Sequence, residues 1–106
     1  MSRVFLGMGS NLGDRLLHLS DAARQIAAIP GVQLQQMASI YETEPVGGPP
    51  QEPYLNTVLE LDVTCSPRDL LRALQALERT LGRVPTTVRW GPRPIDLDIL
   101  LFGDLV

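Results

Sequence analysis

The chain has 106 residues, 44% hydrophobic and 20% charged, a composition that fits one small globular domain and excludes a disordered chain. A net charge of −3 leaves no large basic surface, and no apolar stretch has the length of a membrane span, so neither nucleic acid nor a membrane is expected as a partner. Residues 1–12 lack the apolar region and cleavage site of a signal peptide, and the single cysteine, Cys65, allows no internal disulfide, so the expected compartment is the reducing cytoplasm.

Residues 3–8 form a short apolar run that reads as a buried strand ending at Gly9. A polar turn, GSNLGDR, leads into a helix expected over roughly 14–29, with Asp14 as its cap. Leu16, Leu19, Ala23 and Ile26 supply its apolar stripe, and Pro30-Gly31 ends it. Residues 32–43 read as one strand. The segment EPVGGPPQEP, 44–53, is too rich in proline and glycine for regular structure, and a loop of that length is often functional.

Residues 54–64 form a third strand. Leu55, Leu59, Leu61 and Val63 share one face, while Tyr54, Asn56, Val58, Glu60 and Asp62 share the other. Tyr54 and Asn56 therefore emerge together beside the proline-glycine loop. The second helix starts at the cap Ser66, with Pro67 at its first position and Asp69 at the positive end of its dipole. Leu70, Leu74, Leu77 and Leu81 form its stripe, Gly82 closes it, and Gln75 and Glu78 share another face. Residues 83–94 form an arginine-bearing loop, and 95–102 (IDLDILLF) a last strand. The order β-α-β-β-α-β is α+β and ferredoxin-like, an antiparallel sheet with two helices on one face.

Chemistry concentrates at the last strand. Asp96 and Asp98, two apart, project from one face, while Ile95, Leu97, Ile99 and Leu101 are expected to pack on the other. Paired carboxylates repel unless a cation lies between them, and magnesium takes such hard oxygens together with substrate phosphates. The competing reading is the charged solvent face of an edge strand. From the D-x-D alone the two readings are even. The loop bearing Arg83, Trp90 and Arg93 runs directly into the strand and moves the metal–phosphate reading ahead. Trp90 fits equally as a cover for adenine or as a packing residue. All nine cationic residues are arginine; with no lysine there is no Walker loop. His18, the single histidine, suggests neither a zinc site nor a nucleophilic triad.

Five motifs in order, GSNLGDR (9–15), YETEPVG (41–47), QEPYLN (51–56), ALERTLGR (76–83) and RWGPRPIDLDILLFGD (89–104), resemble 6-hydroxymethyl-7,8-dihydropterin pyrophosphokinase of folate synthesis. The resemblance covers essentially the whole chain. It implies transfer of a diphosphate from ATP to a pterin alcohol, with AMP leaving. It implies that Asp96 and Asp98 bind two magnesium ions and that Arg83 and Arg93 face the phosphates. Gln75, Glu78, Trp90 and Arg93 would lie on the nucleotide side, and Thr43, Val46, Tyr54 and Asn56 on the pterin side. The loops at 44–53 and 83–94 match segments that close over substrates in the family. Pro85 stands where some members carry another loop arginine.

The family chain also continues beyond the FGD motif, through residues that contact phosphate and pterin. Residues 1–106 are therefore expected to form one pyrophosphokinase domain lacking that C-terminal segment, with self-association through the surface so exposed. The alternatives are an inactive truncated domain that binds nucleotide or pterin, and a ferredoxin-like protein-interaction module.

Overall fold

In the computed structural model, residues 1–43, 53–82 and 95–103 are described. The elements run β1 (Ser2–Ser10), α1 (Arg15–Ala27), β2 (Val32–Met37), β3 (Tyr41–Thr43), β4 (Tyr54–Val63), α2 (Pro67–Gly82) and β5 (Asp96–Phe102). The strands form one antiparallel sheet in the order β2-β4-β1-β5, with β3 also paired to β4. This is the expected ferredoxin-like α+β arrangement, with β1 and β4 at its centre.

Alternation along the central strands builds a one-sided core. Val4, Leu6 and Met8 of β1 and Leu59, Leu61 and Val63 of β4 are buried in one cluster with Leu19 and Ile26 of α1 and Leu70 and Leu74 of α2. Both helices thus cover the same face, and each such aliphatic side chain contributes roughly 1.5–3 kcal/mol by leaving water. The capping expectations hold. Asp14 Oδ1 accepts from Leu17 N at 3.1 Å, and Ser66 Oγ accepts from Asp69 N at 3.1 Å. Gly31, at φ 83°, turns the chain from α1 into β2; a Cβ there would meet Thr64 Oγ1 at 2.7 Å.

Three expectations need correction. The α1 stripe is Leu19, Ala22, Ala23 and Ile26, whereas Leu16 is exposed: the helix starts at Arg15, so its first turn extends past the end of the core. Residues 32–43 form two strands instead of one. The interruption falls at Ala38, whose N–H donates to Val58 O at 2.9 Å and whose carbonyl accepts from the buried Thr57 hydroxyl at 2.8 Å. A side-chain hydroxyl takes the place of a ladder bond there, and β3 resumes along the same partner.

The third correction concerns β5. Phe5 pairs with Leu101 but Leu6 pairs with Ile99, so Leu100 is an extra residue, a β-bulge. The bulge resets the alternation. Leu97 and Ile99 pack against the core as expected, but Leu101 shares the outer face with Phe5, and Phe102 takes the buried place.

Candidate active site on the helix-free face of the sheet

The face opposite the helices carries Thr43, Tyr54, Asn56, Asp96 and Asp98 of the residues singled out in the sequence. Its centre is a floor of glycine. Gly9 of β1 pairs with Asn56 of β4 on one side and Asp96 of β5 on the other; Gly7 pairs with Val58 and Asp98. With no side chain at either glycine, a trough runs along β1 between two walls. It is lined by Tyr41, Tyr54, Asn56 and Val58 on one side and by Asp96, Asp98 and Leu100 on the other. Strand spacing is about 4.8 Å, so the Asn56 and Asp96 backbones stand roughly 10 Å apart across Gly9.

The amide wall is internally ordered. Asn56 Nδ2 donates to Thr43 Oγ1 at 2.8 Å and lies 3.4 Å from the Tyr54 carbonyl oxygen. Its Oδ1 turns toward the floor, 3.2 Å from where a Cβ on Gly9 would stand, and the Tyr54 ring edge lies at the same distance. Thr43, Tyr54 and Asn56 are thus brought together on adjacent strands, as a planar aromatic surface beside convergent hydrogen-bonding groups. That combination suits a flat, polar heterocycle.

The acidic wall lies on β5, which among the described residues is an edge strand. Asp96 and Asp98 are both exposed, on the trough side, and the bulged Leu100 follows them. Glu78 of α2 reaches the same strand from behind: its Oε2 accepts from Leu97 N at 2.9 Å. The backbone between the two aspartates is therefore held by a carboxylate from the helix. Gln75 and Glu78 also line a shallow groove between α2 and the β5 edge, together with Arg68, Leu71, Leu97 and Asp98. Asp98 borders both depressions, so the groove and the trough meet at the acidic strand.

Two exposed carboxylates above a glycine floor offer hard oxygen donors, with space beside them for a hydrated ion and phosphate oxygens. This donor set fits magnesium. Among the described residues, no cluster of three or more His, Cys, Asp or Glu side chains forms a closed metal site. Val46, Arg83, Trp90 and Arg93, and the expected loops at 44–53 and 83–94 apart from Pro53, lie outside the described residues.

Sequence reasoning missed the floor. The G-x-G of residues 7–9 reads in isolation as a weak fragment of a dinucleotide motif; its usable signal is two glycines with strand periodicity inside an apolar run. It also gave Arg15 no role. In the structure Arg15 Nη1 donates to the Pro53 carbonyl at 2.8 Å and pairs with Glu42 at 3.6 Å. No described helix is long and apolar enough to cross a membrane.

Residues 5–106 match the family model described as 7,8-dihydro-6-hydroxymethylpterin-pyrophosphokinase. The chain is 39% identical over 102 residues to a 2-amino-4-hydroxy-6-hydroxymethyldihydropteridine pyrophosphokinase of Methylorubrum extorquens, covering 96% of this chain and 64% of that protein. Proteins of the same name from Bacillus subtilis and Pseudomonas aeruginosa are 43% and 40% identical, over 94% and 98% of this chain and 59% and 64% of their own lengths. The chain thus spans about three-fifths of the length of these relatives. With the family model covering nearly every residue, the chain belongs to the 7,8-dihydro-6-hydroxymethylpterin-pyrophosphokinase family.

Proposed function

We propose that this chain carries out the chemistry its family name describes, as a cytoplasmic enzyme of folate synthesis. It would transfer a diphosphate from ATP to the hydroxymethyl group of 6-hydroxymethyl-7,8-dihydropterin and release AMP. The observation that supports this most is the two-walled trough. An aromatic–amide wall suited to a pterin faces a dicarboxylate wall suited to a metal-bound polyphosphate, across a glycine floor.

In this reading Tyr54 stacks on the pterin, Asn56 and Thr43 hydrogen-bond its edge, and Val46 lines the same subsite. The roughly 10 Å between the walls lets a ring on one side present its hydroxymethyl group to a phosphate chain on the other. Gln75, Glu78 and Trp90 serve the nucleotide side. Arg83 and Arg93 face the phosphates and oppose the charge that develops as the diphosphate moves. The alcohol oxygen forms a bond to the β-phosphorus, the bond from that phosphorus to the α,β-bridging oxygen breaks, and the bridging oxygen leaves with AMP. The alcohol proton passes to water.

Asp96 and Asp98 would hold the magnesium, for which two ions are expected. When bound it would supply charge neutralisation to the phosphate oxygens.

The test is AMP release from ATP and magnesium, with and without the pterin alcohol. Release should depend on the pterin, and Asp98→Asn should lower it by about a thousandfold. Because Asp98 is exposed, its thermal melting should match that of the unsubstituted chain. A folded chain that yields no pterin-dependent AMP, or an Asp98→Asn variant as active as its parent, would refute the assignment.

A further inference from the structure

Arg15 occupies the first position of α1, where local helix energetics give no reason for a cation. The N-terminus carries the positive end of the helix dipole, which disfavours positive charge. Its partners lie far away in sequence and flank a single segment. Glu42 belongs to β3, just before residues 44–52, and Pro53 follows them immediately.

The strand β3 needs such a partner. It has three residues, all exposed, so apolar burial does not hold it. Its pairing with β4 sets Tyr41 opposite Asn56 and Thr43 opposite Tyr54, on the trough face; Glu42 pairs with Leu55 and so belongs to the other face. Arg15 therefore works from behind the sheet. One guanidinium nitrogen engages the carboxylate of β3 and the Pro53 carbonyl just before β4, half-buried between them.

We propose that Arg15 is the positioning residue of the pterin subsite. By fastening β3 to the start of β4, it holds Thr43 within bonding distance of Asn56 and beside Tyr54, without touching the ligand. This inference rests on the assignment of Thr43, Tyr54 and Asn56 to the pterin.

The test is equilibrium binding of the pterin alcohol and, separately, of magnesium–ATP, by titration calorimetry on the wild-type chain and on Arg15→Ala and Arg15→Lys, with thermal melts of each. In Arg15→Ala, pterin binding should weaken about tenfold, the loss of one charge-assisted hydrogen bond, while ATP binding stays within about twofold. Both contacts use the same nitrogen and not a two-pronged fork, so a point charge can substitute. Arg15→Lys should recover pterin binding to within about threefold of wild type.

Equal weakening for both ligands with a lowered melting temperature would make Arg15 a general structural residue and overturn the inference. So would unchanged pterin binding in Arg15→Ala. A wild-type chain that binds ATP but not the pterin would instead remove the subsite assignment itself, and the inference with it.

Discussion

Replacing Gly9 by alanine isolates the contribution of the trough floor. The added Cβ would stand 3.2 Å from Asn56 Oδ1 and 3.2 Å from the Tyr54 ring, so each neighbour must give by a few tenths of an ångström. The backbone of Gly9 is extended strand, which alanine adopts readily, and a compatible glycine-to-alanine change stabilises by about 0.4–1 kcal/mol through the unfolded chain. That gain and the mild crowding act in opposite directions, so melting should shift by less than about 5 °C. Function should respond differently. The methyl group displaces the amide and the ring that would locate the pterin, and misplacement of reacting groups by about 1 Å can cost a hundredfold in rate. Pterin-dependent AMP release should therefore fall by about a hundredfold in a chain that melts normally. Gly7→Ala is the control, since the three atoms nearest its Cβ would all belong to the Leu100 side chain, at an ordinary 3.5 Å or more. That variant should keep activity within about fivefold, the displacement of Asn56 and Tyr54 being absent. A fully active Gly9→Ala protein would refute the role of the floor, and an unfolded one would refute the packing argument.

Two further substitutions examine the supports. Glu78→Ala removes the acceptor of the Leu97 N–H and should lower stability by about 1–2 kcal/mol and reduce AMP release, whereas Glu78→Gln keeps an acceptor oxygen and should retain most of both; chemical denaturation and the AMP assay check this. Thr57→Val preserves shape but removes the hydroxyl that donates to Ala38 O, and should cost about 1 kcal/mol, a fall of roughly 4–8 °C in melting temperature by calorimetry.

Much of the architecture was legible because local signals agreed with the fold. Ser66, Pro67 and Asp69 announce α2, and its leucines mark the buried side, since capping and helical period are local properties. The alternation in β4 placed Tyr54 and Asn56 on one face for the same reason. What escaped depends on neighbours distant in the chain. The bulge at Leu100 exists only in the pairing of β5 with β1, and no feature of IDLDILLF tells that Leu101 leaves the core for Phe102. The break at Ala38 depends on a hydroxyl nineteen residues later. Arg15 looked like a polar residue opening a helix because both its partners lie across the sheet. The D-x-D could be read as a pair, but its distance from Tyr54 and Asn56 follows from strand order, which the linear pattern does not contain.

Among the described residues the aspartates lie at a sheet edge, where stability and chemistry make different demands. An edge strand exposes unpaired backbone groups and invites pairing with another chain, and charge along it is a common protection. Asp96 and Asp98 place charge along that strand, and both residues are exposed. An edge strand is also less restrained than a central one, which is unfavourable for groups proposed to meet a phosphate chain in fixed geometry. Glu78 reconciles the two requirements. It takes the Leu97 N–H between the aspartates, closing part of the edge and fixing the backbone from which both project. The bulge turns Leu100 to the trough side, where its side chain lies 3.5 Å from the place a Cβ on Gly7 would take. The acidic wall is thus braced from the helix side by the Glu78 carboxylate, while Asp96 and Asp98 stay exposed on the trough side.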